Sequence, residues 1–151
     1  NLSNYLDENQ DVVMISPKIL NTDKTEQYLP KLNPKFKYLV GGRVKLFEKY
    51  RKIYTMENAE ITNPIEIEFC TGCFMMIRTD VFRLLGGFDE RYFMYFEDAD
   101  ISREAKKIGK VIFNPNEYVY HNWERGDTHN FKLLVHHIKS MFKYFIKWYN
   151  K

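Results

Sequence analysis

Hydrophobic and polar positions change their period several times along the chain, and each change marks an element. Val12, Val13, Met14 and Ile15, continuing through Ser16, Pro17, Lys18 and Ile19, form a run too continuous for one exposed face and predict a strand over residues 11–19. Before it, Leu2, Tyr5 and Leu6 have helical spacing and read as the tail of a helix. Phe74, Met75, Met76 and Ile77 predict a buried strand, and Val111, Ile112 and Phe113, followed by Tyr118, Val119 and Tyr120, predict another. Between these, Ile101, Ala105 and Ile108 recur at helical spacing, and Gly109 is placed to end that helix in the left-handed conformation. Residues 21–66 have no steady period. Polar residues dominate there, Pro30 and Pro34 interrupt any long element, and the region reads as a long loop with short helices near 36–40 and 46–50 and a mobile linker at 57–60. From 130 to 151, Leu133, Leu134, Ile138, Met141, Phe142, Phe145, Ile146 and Tyr149 recur every three or four residues among Lys132, Lys139, Lys143, Lys147 and Lys151. That segment predicts a basic amphipathic helix, suited either to packing on the core or to lying on an anionic membrane with Trp148 and Tyr149 at headgroup level.

Composition narrows the class. Hydrophobic residues make up 44% and aromatic residues 17%, which excludes overall disorder, and 151 residues suffice to bury a core. No apolar run approaches the ~18 residues a membrane span needs, and the formal charge of +3 is too small to argue for nucleic acid.

The candidate chemistry centres on Phe93, Met94, Tyr95 and Phe96, which run into Glu97, Asp98 and Asp100 at the start of the predicted helix. At ~100° per residue, Glu97 and Asp98 border the two sides of the apolar stripe, while Asp100 points roughly twice as far away. The helix dipole favours an ionised carboxylate there and partial desolvation opposes it, a balance suited to a general base. The same acids also read as helix caps, with Asp100 paired to Arg103 at i,i+3. Cys70 and Cys73 form a C-x-x-C, but it continues into a predicted strand, so small strand residues are favoured over a redox or zinc motif. Thr71 and Gly72 between them leave space for a substrate to approach the backbone.

Taken in order, Thr71-Gly72-Cys73, the helix around Val81, the turn Gly86-Gly87-Phe88-Asp89-Glu90, the aromatic-Glu97-Asp98 helix, the following strand and His121 make a pattern. It resembles family 2 glycosyltransferases of the GT-A fold, particularly bacterial rhamnosyltransferase-like and galactofuranosyltransferase-like enzymes. The resemblance implies an α/β fold, the acceptor-side part of a nucleotide-diphospho-sugar transferase, over residues 1–129. It implies that Asp98 deprotonates the acceptor hydroxyl, that Glu97 and Asp100 orient acceptor hydroxyls, and that His121 binds a divalent metal, Mg or Mn. In similar enzymes the segment after that His closes over the donor, so Arg125 is the cation available to the diphosphate and Trp123 the stacking surface; an ordinary surface connection is the plainer reading. Residues 21–66 correspond to a variable region facing the acceptor. His136 or His137 followed by Ser140, Met141 and Phe142 also matches the end of rhamnosyltransferase-like enzymes.

Such enzymes carry an Asp-x-Asp motif at the end of a nucleotide-binding βαβ half, and none precedes Asp98-Ala99-Asp100 here. The expectation is therefore the C-terminal part of a larger inverting enzyme lacking that half, prone to self-association by itself. Its parent would transfer sugar from a nucleotide-diphosphate donor to a bacterial surface polysaccharide or lipid-linked saccharide, in the cytoplasm at the inner face of the membrane. The rival expectation is a non-catalytic, membrane-associated binding module whose working part is the C-terminal helix.

Overall fold

A computed structural model describes residues 1–41, 45–122 and 131–149. The chain forms a mixed α/β fold whose four-stranded sheet has the order β2-β4-β1-β3. Its elements are α1 (Leu2–Glu8), β1 (Val12–Leu20), α2 (Phe36–Gly41), a 3-10 turn (Lys45–Phe47), α3 (Glu48–Thr55), β2 (Ile65–Glu66), β3 (Met76–Ile77), α4 (Thr79–Leu84), α5 (Glu97–Ala105), β4 (Lys110–Tyr120) and α6 (Phe131–Trp148). The centre of the sheet is the parallel pair β1 and β4, running from Val12 opposite Lys110 to Leu20 opposite Tyr120. β2 and β3 flank this pair antiparallel. Pro17 is tolerated inside a central strand because the register shifts between Pro17 and Lys18, where β4 bulges from Asn114 to Tyr118.

β1 is buried along nearly its whole length because both faces of the sheet are covered. On one face Val13, Met14, Val111 and Phe113 pack against Ile101 and Ala105 of α5 and Val81 of α4. On the other, Val12, Ile15 and Ile112 meet Leu2 and Leu6 of α1. A third, mainly aromatic cluster lies beyond α5, where Tyr38, Tyr54, Phe69, Tyr92, Phe96 and Ala99 surround Tyr144 and Trp148 of α6.

Three expectations change. Gly109 does not adopt a positive φ. α5 ends at Ala105, whose carbonyl accepts the N–H groups of both Ile108 and Gly109, and the glycine is needed for a different reason. A Cβ at 109 would lie 2.5 Å from Val13 Cγ1 and 2.6 Å from the Asp11 carbonyl oxygen, so the bare backbone lets the chain enter β4 tight against β1. The strand expected over residues 74–77 contracts to Met76–Ile77, because residues 70–72 are pinned to α5 and turn before they reach the sheet. The wide apolar face of α6 divides in two. Ser140, Tyr144 and Trp148 are buried, whereas Ile138, Phe142, Ile146 and Tyr149 face outward, and burying an aromatic such as Tyr144 contributes about 2–3 kcal/mol. Among the described residues no helix is long and apolar enough to cross a membrane. The expected short helices in the 21–66 region are present as α2 and α3, and residues 56–59 form turns and a bend, with Glu57 paired to Arg51 at 2.6 Å.

Candidate active site

The backbone aims the acids before any side chain does. Gly86 and Gly87 take φ of +76° and +79°, a double left-handed step after α4 that directs residues 88–96 across the end of α5. Tyr95 and Phe96 then adopt φ of +68° and +69°, and Phe96 occupies the N-cap of α5 without a side-chain cap bond. Two consecutive non-glycine residues in this region cost about 1–2 kcal/mol each, and such strain gathers at functional sites. Here it is held by aromatic packing. Phe93 lies against His136 with centroids 4.6 Å apart, Tyr95 against His137 at 4.8 Å, and Phe96 against Tyr144 at 5.4 Å. Ser140 Oγ donates to the Met94 carbonyl at 2.7 Å, so α6 braces the whole aromatic run.

That brace presents Asp98 to the loop before β3. Gly72 N–H donates to Asp98 Oδ2 at 2.8 Å and Ala99 N–H donates to Oδ1 at 2.8 Å. A Cβ on Gly72 would approach Oδ2 to 3.4 Å, so glycine also keeps the carboxylate approachable from that side. Ser102, one turn later, completes the junction: its hydroxyl accepts the Cys70 N–H at 3.1 Å and lies 2.7 Å from the Asp98 carbonyl. Asp98 is half-buried. Burial pushes its carboxyl from the ordinary 3.8 up to about 6, against the opposing pull of the Gly72 hydrogen bond. Glu97 beside it is also half-buried and raised by burial, and its Oε2 has no hydrogen-bond partner among the described residues. Thr71 Oγ1 lies 3.4 Å from Cys73 Sγ on the same loop. Both cysteines are free, and burial pushes the Cys70 thiol up to about 12, the reverse of what a redox C-x-x-C requires.

Asp100 is placed differently from the helical-wheel expectation. It is buried beneath α6, accepting hydrogen bonds from Lys147 Nζ at 2.6 Å, Trp148 Nε1 at 2.7 Å and Tyr92 OH at 3.3 Å. α5 is therefore packed on two sides, sheet and α6, and only the first could be inferred from its own periodicity. Trp148 correspondingly lies inside the fold and not at a headgroup level. Lys147, expected on the exposed basic face, instead sits among Asp89 at 3.2 Å, Asp100 and Glu104 at 3.4 Å.

His121 follows β4, half-buried, with its backbone N–H bonded to the Leu20 carbonyl and Nδ1 3.1 Å from Gln27 Oε1. Gln27 Nε2 in turn donates to the His121 carbonyl. Holding Nδ1 in this way orients the ring and leaves Nε2 as the nitrogen suited to a metal. A small cavity of about 20 Å³ is bordered by both Gln27 and Thr71. Among the described residues, however, no three His, Cys, Asp or Glu side chains converge as a metal set. Trp123 and Arg125 lie outside the described residues. Sequence reasoning missed Ser102, Gln27 and the left-handed Tyr95–Phe96 pair; only Ser102 left a trace, a small hydroxyl beside the apolar stripe of α5.

Against known proteins, the chain is 33% identical over 81 residues to rhamnosyltransferase WbbL of Escherichia coli K12, covering 52% of this chain and 30% of that protein. It is 37% identical over 57 residues to the N-acetylglucosaminyl-diphospho-decaprenol L-rhamnosyltransferase of two Mycobacterium tuberculosis strains, covering 37% of this chain and 19% of theirs. No family model matches the chain, and no solved structure does. Over the matched part, this chain is similar to rhamnosyltransferases, and it spans less than a third of the length of these relatives.

Proposed function

We propose that this chain forms the acceptor-side part of an inverting GT-A glycosyltransferase of the family 2 type. The observation that carries the reading is Asp98, a half-buried carboxylate held by the Gly72 N–H, with its pKa raised to about 6. At neutral pH such a group is ionised but poorly solvated, which makes it a ready proton acceptor. It takes the proton of the acceptor hydroxyl as that oxygen bonds to the anomeric carbon, while the bond from that carbon to the nucleotide diphosphate breaks on the opposite face. Glu97 and the Thr71 hydroxyl supply acceptor contacts, Gly72 leaves room for the acceptor, and Asp100 acts as the tie between α5 and α6. Trp123 and Arg125 are assigned to the donor diphosphate. The acceptor is a bacterial surface polysaccharide or lipid-linked saccharide, handled on the cytoplasmic side. His121 is one ligand and not a set, so no step here runs through Mg or Mn.

The test is Asp98→Asn in the protein that carries this chain, with sugar transfer and donor affinity measured together. The expected loss of transfer is ~10²- to 10⁴-fold with donor affinity unchanged. Glu97→Gln should cost less and act through acceptor binding. A near-parental rate for Asp98→Asn removes it as the base.

The outer stripe of α6 favours a second role, peripheral membrane contact, compatible with either an enzyme or a binding module. Phe131, Ile138, Phe142, Ile146 and Tyr149 are 38–84% exposed, and Lys132, Lys139 and Lys143 on the adjoining strip are also exposed. An apolar stripe edged by lysines suits the surface of an anionic leaflet, where each lysine contributes ~1 kcal/mol. Binding to phosphatidylglycerol-containing vesicles should fall more than about tenfold for Lys139→Glu combined with Phe142→Ser and Ile146→Ser, all outside the core. Equal binding by this variant, or none by the parent chain, rejects the role.

A further inference from the structure

Among the described residues Lys31 is the most buried lysine, and it has no ion pair. It is 5% exposed, and its backbone is clamped: its N–H donates to the Tyr54 carbonyl at 3.0 Å, and its own carbonyl accepts the Glu68 N–H at 2.8 Å and the Phe69 N–H at 3.2 Å. The side chain is therefore committed inward. Its Nζ lies 3.4 Å from the Thr55 carbonyl, a weak hydrogen bond, and 4.4 Å from the centre of the Phe113 ring. Among the described residues no carboxylate comes within ion-pair distance of it. An ammonium carries three donors and is costly to bury without acceptors, so at least two donors remain to be satisfied.

The place where they can be satisfied is visible. Glu26, Lys31 and Phe113 line both the small cavity beside Thr71 and a larger cleft of about 310 Å³. The cleft is also bordered by Lys18, Tyr28, Asn58 and Thr62. Its size suits one or two sugar rings. Tyr28, 44% exposed, offers an aromatic face, and Asn58 and Thr62 are exposed amide and hydroxyl groups. Three carboxylates also line the cleft: Glu26, 3.8 Å from Lys18, Glu57, 2.6 Å from Arg51, and Glu60, which is exposed.

We propose that this cleft binds a pyranose unit bearing an anionic oxygen group, carboxylate or phosphate, with that group on the Lys31 ammonium and the ring against Tyr28. The saccharide part rests on the transferase reading above; the anion part follows from a buried lysine that has no ion pair among the described residues. Burial, opposed by the charge of Glu26, already lowers the Lys31 pKa, and an anion in the cleft would restore it.

The test is direct binding to this chain, independent of sugar transfer, by NMR titration with glucuronate, glucose 1-phosphate and neutral glucose. The two acids should move the backbone signals of residues 58–62 and the Lys31 side-chain nitrogen signal, at least about tenfold more tightly than glucose, as a charge-assisted bond to a desolvated ammonium requires. A response to glucuronate alone assigns a carboxylate, and a response to glucose 1-phosphate alone assigns a phosphate. Lys31→Arg should keep the preference for acids and Lys31→Met should lose it. Glucose binding as tightly as the acids, or an unmoved Lys31 nitrogen in the parent chain, overturns the proposal without bearing on Asp98; loss of transfer in Asp98→Asn tests that residue separately.

Discussion

Replacing Asp98 by Asn should stabilise the chain above neutral pH, and the size of the gain follows from the geometry. The carboxyl ordinarily loses its proton at 3.8 and keeps it to about 6 in the fold. A raised carboxyl pKa means the folded chain holds an extra proton in that window, so stability falls as pH rises from 3.8 through 6, and the loss is complete above it. In full it amounts to about 3 kcal/mol, of which roughly 1.4 kcal/mol develops between about pH 5 and about pH 8. Asparagine carries no charge and escapes this loss. It cannot, however, accept from both Gly72 and Ala99, because its amide nitrogen replaces one oxygen; that forfeits about 1 kcal/mol. The expected net gain is about 2 kcal/mol at about pH 8 and well under 1 kcal/mol at about pH 5. Urea unfolding of both chains at the two pH values measures this, and other titrating groups cancel in the difference. A stability difference that does not change with pH would mean that Asp98 is ordinarily solvated, and the reasoning that makes it a base would fall with it.

Other parts of the structure make independent predictions. Gly109→Ala should destabilise the chain by about 1–3 kcal/mol in urea unfolding, because the new Cβ meets the Asp11 carbonyl, which cannot step aside; a neutral result would mean the β1–β4 entrance is looser than described. Lys147→Met leaves Asp100 buried without its cation and should cost about 3 kcal/mol, read as a lowered midpoint of thermal unfolding. Lys139→Glu, on the outer strip of the same helix, should change that midpoint little. In this chain His121 should bind Mn only weakly, seen as modest paramagnetic broadening of the neighbouring Gln27 side-chain amide signals, and His121→Ala should abolish that broadening; broadening that persists in the variant excludes His121 as the ligand.

The elements that could be read from the sequence are those whose own period records the surface they bury. β1 is continuous because both faces of the sheet are covered, and α5 shows Ile101 and Ala105 at helical spacing because one side meets the sheet. What escaped depends on partners far along the chain. The second packed side of α5 exists only because α6 returns to it with Lys147 and Trp148, and nothing within residues 97–105 announces that Asp100 will be covered. In α6 the apolar residues outnumber what one contact buries, and the inner face is set instead by Ser140 and Tyr144, two residues that a hydrophobic count passes over. That Glu97 and Asp98 open a helix was legible because the aromatic neighbours and the helix start are local. Gln27 was not, being held to His121 across 94 positions.

The brace from α6 to residues 93–96 bears on how this chain can be recombined. His136, His137 and Ser140 fix the approach to α5, so the two segments must fit one another although some forty positions separate them. A chimera that takes its C-terminal helix from one relative and its aromatic run from another should fold around the sheet and still point its acids in the wrong direction. Exchanging both segments together should restore the alignment, which makes the pair, and not either helix, the smallest portable unit of this site.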